Sequence, residues 1–361
     1  MLSFVLPTRN RSAELDRTLA ALGAIEPRVD AEVIVVDNHS AAPVTVPGRL
    51  ANGWHALTLR LRNNAGAAAR NEGARIASGK WIVMLDDDSY PLDLGVVDAI
   101  HDAEPDVAAI GAEISLLNGG HEAGGLPEVI VGCGAAIRRE SFMAVGGYDP
   151  SFHFYVEEYD LCAKLILAGD RVVQDRRFRV RHEKSATGRD MNLVLSRLVR
   201  NNGWIAARYA PDDEREAALR ETIERYAVIA RREQALGGYE AGLAELRATL
   251  DAQPRIPMSD ARWDRFVGRT AARAGLRRSV DRIAGRRVGL VAAGKGSSTI
   301  ETLVRELGGT IVPVDDASTL VVGTLSPGPM LDAVSAWSDD PRPLVAPWSL
   351  APEMSALRRA G

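Results

Sequence analysis

Trp81-Ile82-Val83-Met84-Leu85-Asp86-Asp87-Asp88 sets three aspartates at the end of an apolar run. Such a run, closed abruptly by polar residues, reads as a short strand buried on both faces. Carboxylates gathered at its end repel one another and resist desolvation, so a cationic partner is expected beside them. Oxygen-rich groups of this kind suit Mg²⁺ or Mn²⁺, metals that bridge to substrate phosphates. Taken alone, the triplet also fits a solvated acidic turn.

Working outward, residues 2–6, 32–36 and 57–61 repeat the short apolar pattern; Pro7 ends the first and Asp37-Asn38-His39-Ser40 the second. Ser12 is placed to cap a helix with Leu15, Thr18, Leu19 and Leu22 on one face. A small-residue helix is expected from about residue 65 to 77. This alternation predicts an α/β fold with a mostly parallel sheet flanked by helices. Ligands on such sheets bind at the carboxyl ends of strands. Asp37 and the aspartate triplet both take that position, on two different strands.

Beyond Pro211 the texture changes. Charged residues alternate with Ala and Leu, which predicts helices with solvated faces, broken at Gly237-Gly238 and Gln253-Pro254. Residues 287–292, 299–307, 310–314, 320–322 and 344–346 then read as strand, helix and three strands. We divide the chain into residues 1–211, a helical extension at 212–284, and a small Rossmann-like α/β unit at 285–361.

A net charge of -4 argues against a general nucleic-acid binder. Cys133 and Cys162 are too few for a disulfide framework or a zinc cluster; both sit in apolar stretches as expected of packing thiols, and a reducing cytoplasm fits. The first residues lack the basic start of a signal peptide, and no run of about 18 apolar residues is present to span a bilayer. Peripheral membrane contact stays open.

Gly66 and the alanines of Asn64-Ala65-Gly66-Ala67-Ala68-Ala69-Arg70-Asn71-Glu72-Gly73 allow close approach of a ligand, and Arg70 adds a cation able to pair with phosphate. A tightly packed helix with an exposed arginine is the plainer reading of the same residues. In order along the chain come Pro7-Thr8-Arg9-Asn10, Val35-Val36-Asp37-Asn38-His39-Ser40, this stretch, and Leu85-Asp86-Asp87-Asp88. Gly146-Gly147-Tyr148-Asp149-Pro150, Glu157-Glu158-Tyr159-Asp160-Leu161 and His182 follow. The ordered series resembles family 2 glycosyltransferases, which have the GT-A fold, over roughly residues 1–210.

The resemblance implies a metal-dependent, inverting hexosyl- or deoxyhexosyltransferase. Its donor would be a nucleoside-diphosphate sugar, its metal Mg²⁺ or Mn²⁺, and its acceptor a hydroxyl on a glycan, lipid-linked or small molecule. Pro7, Thr8, Asn10, Asp37 and Asn64 would border the nucleotide, with Arg70 near the base or diphosphate. Asp88 would coordinate the metal, Asp86 would lie nearer the ribose and metal waters, and His182 near the diphosphate or metal. Asp87 falls within the donor-binding turn without a separate task. Family members carry Glu-Asp where this chain has Glu157-Glu158, and the aspartate is the base; Glu158 takes that position. The change adds one methylene, about 1.5 Å of reach, and leaves open which glutamate acts. A helix start also favours acidic residues, which is a sufficient account of Glu157. The segment from Val131 to Arg139 would line the sugar or acceptor side. Ala41-Ala42-Pro43 departs from the family, many members having a further aspartate there.

Two other readings are weighed. Sugar nucleotidyltransferases share a similar sheet, but their glycine-rich opening is replaced here by Pro7-Thr8-Arg9-Asn10. A non-catalytic sugar-nucleotide-binding or scaffold protein would not need Glu158. Gly289 to Gly296 nearly matches a P-loop, yet Gly296 stands where Ser or Thr must follow the lysine; a Rossmann-like turn that binds nothing is expected, although the loop can still hold an anion. The C-terminal region can shape the acceptor site, hold a homodimer together or dock a partner.

Overall fold

Runs of Val, Ile and Leu set the frame, because β-branched side chains pack well on a pleated surface. The computed structural model describes residues 1–184 and 190–350. Its elements are β1 (Leu2–Thr8), α1 (Ser12–Ala24), β2 (Ala31–Asp37), β3 (His55–Arg60), α2 (Ala69–Ile76), β4 (Trp81–Met84), β5 (Ser89–Pro91), α3 (Gly95–His101), β6 (Val107–Leu116), β7 (Ala135–Arg138), α4 (Arg139–Ala144), α5 (Glu157–Ala168) and β8 (Arg171–His182). Helices α6 (Met191–Tyr209), α7 (Arg215–Arg232), α8 (Leu236–Thr249), α9 (Asp260–Phe266) and α10 (Arg269–Arg277) follow. The last part holds β9 (Arg287–Val291), α11 (Ser297–Glu306), β10 (Thr310–Ile311), β11 (Thr319–Val322), α12 (Pro327–Ala336) and β12 (Leu344–Val345).

The first eight strands form one sheet in the order β3-β2-β1-β4-β7-β6-β8-β5. Strands β3, β2, β1 and β4 run parallel, and β7 enters antiparallel against β4. In register, Thr8 of β1 stands beside Asp37 of β2, and Val5 beside Met84 of β4. The strand ends therefore deliver Thr8, Asp37 and the aspartate triplet to one edge of the sheet. The architecture is the α/β fold expected, a large mostly parallel sheet flanked by helices. A second, four-stranded sheet, β10-β9-β11-β12, is parallel throughout. One hydrophobic cluster runs without interruption from Val5, Ile34 and Met84 through Trp204, Trp263 and Phe266 to Val288 and Val321.

Two local expectations are corrected. Ser12 does not cap α1: Arg11 occupies the N-cap position, with no side-chain hydrogen bond to the helix. The break between α7 and α8 falls at residues 233–235, and Gly237-Gly238 lies just past it, in the first turn of α8. A Cβ on Gly238 would stand 2.1 Å from the Asn192 carbonyl oxygen, and one on Gly242 2.2 Å from that of Ser196. These glycines let α8 press its backbone against α6, a packing role that resembles a helix breaker in sequence. Among the described residues no helix is long and apolar enough to cross a membrane.

Candidate active site

The acidic turn is held from three sides. Thr8 Oγ1 at the end of β1 donates to Asp87 Oδ2 at 2.8 Å, and Thr18 Oγ1 of α1 donates to the Asp87 carbonyl at 2.8 Å. Arg11 reaches Asp88 Oδ2 at 2.6 Å and Asp87 Oδ1 at 3.3 Å. Ser89 Oγ accepts from the Asp86 N–H at 2.8 Å and donates to the Cys133 carbonyl at 2.9 Å. Asp87 thus has a task that its position alone did not disclose: it ties the turn to β1 and α1.

The three carboxyls sit in different surroundings. Burial, with its charged neighbours adding, pushes Asp87 up to about 7 despite Arg11 and Thr8. Burial also opposes ionisation of Asp88, but hydrogen bonds from His182 and Arg11 outweigh it and hold Asp88 at about 2. Asp86 is partly exposed and is paired with Arg70. Arg70 itself is buried and also donates to the Leu85 carbonyl at 3.2 Å. Its guanidinium therefore engages Asp86 directly, whereas the resemblance places it near the base or diphosphate.

His182, the last residue of β8, bridges two carboxylates. Its Nε2 lies 3.2 Å from Asp88 Oδ1 and its Nδ1 2.9 Å from Glu122 Oε2. Burial works against its charged form, yet these contacts and Cys133 raise it to about 12. Lys184 Nζ pairs with Glu122 Oε1 at 2.6 Å. The Glu122 contact fixes the ring and aims Nε2 at the acidic turn, as second partners of metal-binding histidines do. Asp86, Cys133 and His182 each bring one donor atom within 4.8 Å of the others. Burial pushes the Cys133 thiol up to about 11, so it is protonated and a poor partner for a hard cation. The carboxylates of Asp86 and Asp88 suit Mn²⁺ or Mg²⁺ better. His182, held protonated between Asp88 and Glu122, can ligate only once its Nε2 proton is displaced.

The residues expected around a nucleotide lie at strand ends and on loops beside the acidic turn. Asp37 is buried; burial opposes its charge, but the Ser40 N–H at 2.8 Å, the Val44 N–H at 3.2 Å and Arg60 hold its pKa below the ordinary value. Asn10 Oδ1 accepts from the Ala41 N–H at 2.8 Å, and Asn64 Oδ1 from the Gly66 N–H at 3.0 Å. Asn38 Oδ1 accepts from the Ala65 N–H at 2.8 Å. Pro7 is half-buried on β1. Asp37 and Asn64 shape loops from within, whereas Asn10 stands exposed.

Glu157 and Glu158 open α5 after a contorted approach. His153, Tyr155 and Val156 have φ of 62°, 69° and 73°. A left-handed Val is uncommon because its branched side chain crowds the backbone, and such strain persists only where surroundings hold it. Asn201 of α6 supplies the hold: its Nδ2 lies 3.2, 3.1 and 2.7 Å from the carbonyl oxygens of Phe152, Phe154 and Tyr155. Arg208, also on α6, spans Asp149 at 2.6 Å and Asp160 at 3.0 Å, locking together the two motifs that flank the loop.

The two glutamates differ. Glu157 is buried, and its Oε2 has no hydrogen-bond partner among the described residues. Burial, then the adjacent Glu158, drives its pKa well above the ordinary value. Glu158 Oε1 accepts the Gly132 N–H at 3.0 Å. Burial raises Glu158 as well, although backbone N–H groups and Arg70 counter it. Asp86 and Arg70 act on both glutamates. The Gly132-Cys133 loop, bonded to Ser89 on one side and Glu158 on the other, couples the acidic turn to α5.

Residues 3–116 match the family described as Glycosyl transferase family 2. The motifs from Pro7 to the aspartate triplet lie in that segment. A curated relative, an uncharacterized glycosyltransferase of Haemophilus influenzae, is 29% identical over 192 residues, which cover 46% of this chain and 62% of the relative. The chain thus spans less than two thirds of that relative's length. Among solved structures, GalNAc-T7 with UDP, GalNAc and Mn²⁺ superposes with a TM-score of 0.50 at 17% identity, over 72% of this chain and 59% of that one. At that identity the likeness is one of fold, the GT-A type. The mannosyltransferase PcManGT from Pyrobaculum calidifontis, with GDP-Man and Mn²⁺, is similar at a TM-score of 0.46 and 16% identity over 85% of both chains.

Proposed function

We propose that this chain is a metal-dependent, inverting glycosyltransferase that moves a sugar from a nucleoside-diphosphate sugar to an acceptor hydroxyl. One observation carries the reading: the acidic turn after β4 and the glutamate pair opening α5 share Arg70, Asp86 and the Gly132-Cys133 loop. A donor-binding group and a proton-accepting group act side by side in this reading. The family match and the solved fold relative point the same way.

In this reading Asp86 and Asp88 hold the divalent cation, Mn²⁺ or Mg²⁺, and Arg11 keeps Asp88 ionised. His182 joins the ligands by giving up its Nε2 proton to solvent as the cation enters. Bound there, the cation supplies Lewis-acid neutralisation of the diphosphate leaving group. Pro7, Thr8, Asn10, Asp37 and Asn64 bound the nucleotide pocket, and Arg70 sets the position of Asp86. Glu158 is the general base. It takes the proton from the acceptor hydroxyl as the new C–O bond forms and the anomeric C–O bond to the diphosphate breaks. Burial raises both glutamates, Glu157 further, so the pair favours sharing one proton. Glu158, which accepts the Gly132 N–H, is the better seat for the negative charge. Residues 1–211 are, in this reading, the transferase unit and 212–284 with 285–361 an extension, whose described residues, up to 350, share its hydrophobic core.

The test is release of nucleoside diphosphate from UDP-, GDP- and dTDP-sugars, with Mn²⁺ or Mg²⁺ and with chelator. Release from one donor that requires the metal and fails in Glu158→Gln supports the reading. Metal-independent release, or none from any donor bound by the protein, contradicts it.

A further inference from the structure

A cavity of about 570 Å³ lies away from the acidic turn, where α5, α7, α9 and α11 meet. Its size is that of a small-molecule site, and a junction between structural units is where such sites form. Trp263, Phe266 and Tyr226 supply an aromatic wall, with the Trp263 and Phe266 rings 5.5 Å apart.

The charges lining it are unequally satisfied. Arg269 is paired with Glu214 at 2.9 Å and with Asp264, and Arg273 lies 3.5 Å from Asp264. Arg225 on α7 is different: half-buried, it has no hydrogen bond or ion pair among the described residues. Lys295 faces it from the Gly294-Lys295-Gly296 turn before α11. The ammonium sits over the Tyr159 ring, 4.2 Å from its centroid, and bonds the Tyr159 hydroxyl, with no carboxylate partner. Glu221 and Glu306 stand exposed at the edge. Burial, then Arg225, pulls Lys295 down to about 7, and Glu158 and Glu221 offset this only in part.

We propose that this cavity is a second ligand site, for an organic phosphate monoester whose apolar body fills the cavity beside Trp263 and Phe266 and whose dianion bridges Lys295 and Arg225. Two converging cations match a doubly charged group, and a guanidinium recognises phosphate through paired N–H bonds. An aromatic wall opposite them favours an apolar substituent over inorganic phosphate. The turn that resembles a P-loop in sequence thus contributes its lysine, not a phosphate-wrapping loop or a metal-binding hydroxyl. Tyr159 links the site to the base, since it follows Glu158 on α5 and carries Lys295 on its ring. The proposal is independent of the donor reading, because none of its residues belongs to the acidic turn.

The probe is 1-naphthyl phosphate, titrated into the full-length protein and followed by Trp fluorescence and calorimetry, with 1-naphthol and inorganic phosphate as separate arms. One saturable site per chain is expected, weakened at least tenfold in each of Lys295→Met and Arg225→Met and unaltered in Asp88→Asn. Both other arms should bind at least tenfold more weakly. The melting temperature of each variant is measured alongside, and Arg225, on the cavity face of a surface helix, gives the second variant should Lys295→Met unfold. Unchanged affinity in the folded variants, loss in Asp88→Asn, equal binding of 1-naphthol, or no saturable binding would overturn the proposal.

Discussion

His182 Nε2 lies 3.2 Å from Asp88 Oδ1, while its Nδ1 lies 2.9 Å from Glu122 Oε2. The ring is therefore aimed at the acidic turn by a carboxylate from a distant loop. Glu122 is a positioning residue in this arrangement, and Glu122→Gln keeps an acceptor for Nδ1 while removing its charge. Mn²⁺ affinity should fall about 10- to 100-fold, the usual cost of losing such a partner. A Mn²⁺ titration of the folded variant that matches the parent would show that Glu122 only packs.

Glu158 and Glu157 separate by substitution. Glu158→Gln should cut kcat by roughly 10²–10⁴-fold, the range for a general base, with donor affinity unchanged. Glu157→Gln mimics a group already protonated, so its effect should be less than about tenfold by the same argument. If calorimetric donor binding stays intact in both and the larger loss falls on Glu157→Gln, the base is Glu157.

Asp87 gives a pH signature. Its folded pKa, about 7, exceeds the usual unfolded value near 3.9. Between those values the folded state holds more protons, so stability falls as pH rises through that window. Asp87→Asn keeps the Thr8 bond and removes the titration. Denaturant unfolding of the metal-free variant should show a flatter profile from pH 4 to 7 and a gain on the order of a few kcal/mol at pH 8. A profile that parallels the parent would place the titrating group elsewhere.

Asn201 holds the strained loop before α5 through three carbonyl contacts. Asn201→Ala orphans those carbonyls and should cost about 1–3 kcal/mol, with kcat falling further than KM changes because Glu158 loses its fixed approach. Catalysis at the parental rate in a folded variant would mean that the loop holds itself.

How much of this was legible in the sequence follows from which forces act locally. The strands ending at Thr8, Asp37 and the aspartate triplet announce themselves, since a short apolar run with polar ends seldom folds as anything but a buried strand. So did the glutamate pair and His182, through their ordered motifs. Glu122 and Arg11 did not: one lies in a loop, the other before a helix, and each meets Asp88 or His182 through contacts that no spacing encodes. Asp87 was visible but mute, because its partners Thr8 and Thr18 are brought to it only by the parallel pairing of β1 with β4. Gly238 was misread because glycine permits both a helix break and a close helix contact. Lys295 was seen as part of a motif, but its partner Tyr159 lies far away in sequence, on α5.

Electron paramagnetic resonance of Mn²⁺ tests the central claim most directly. The free-ion signal should be lost on titration with the protein and nucleoside diphosphate, and should persist in folded Asp88→Asn under the same conditions. Loss of the signal to the same extent in Asp88→Asn would contradict the assignment of the acidic turn as the metal and donor site.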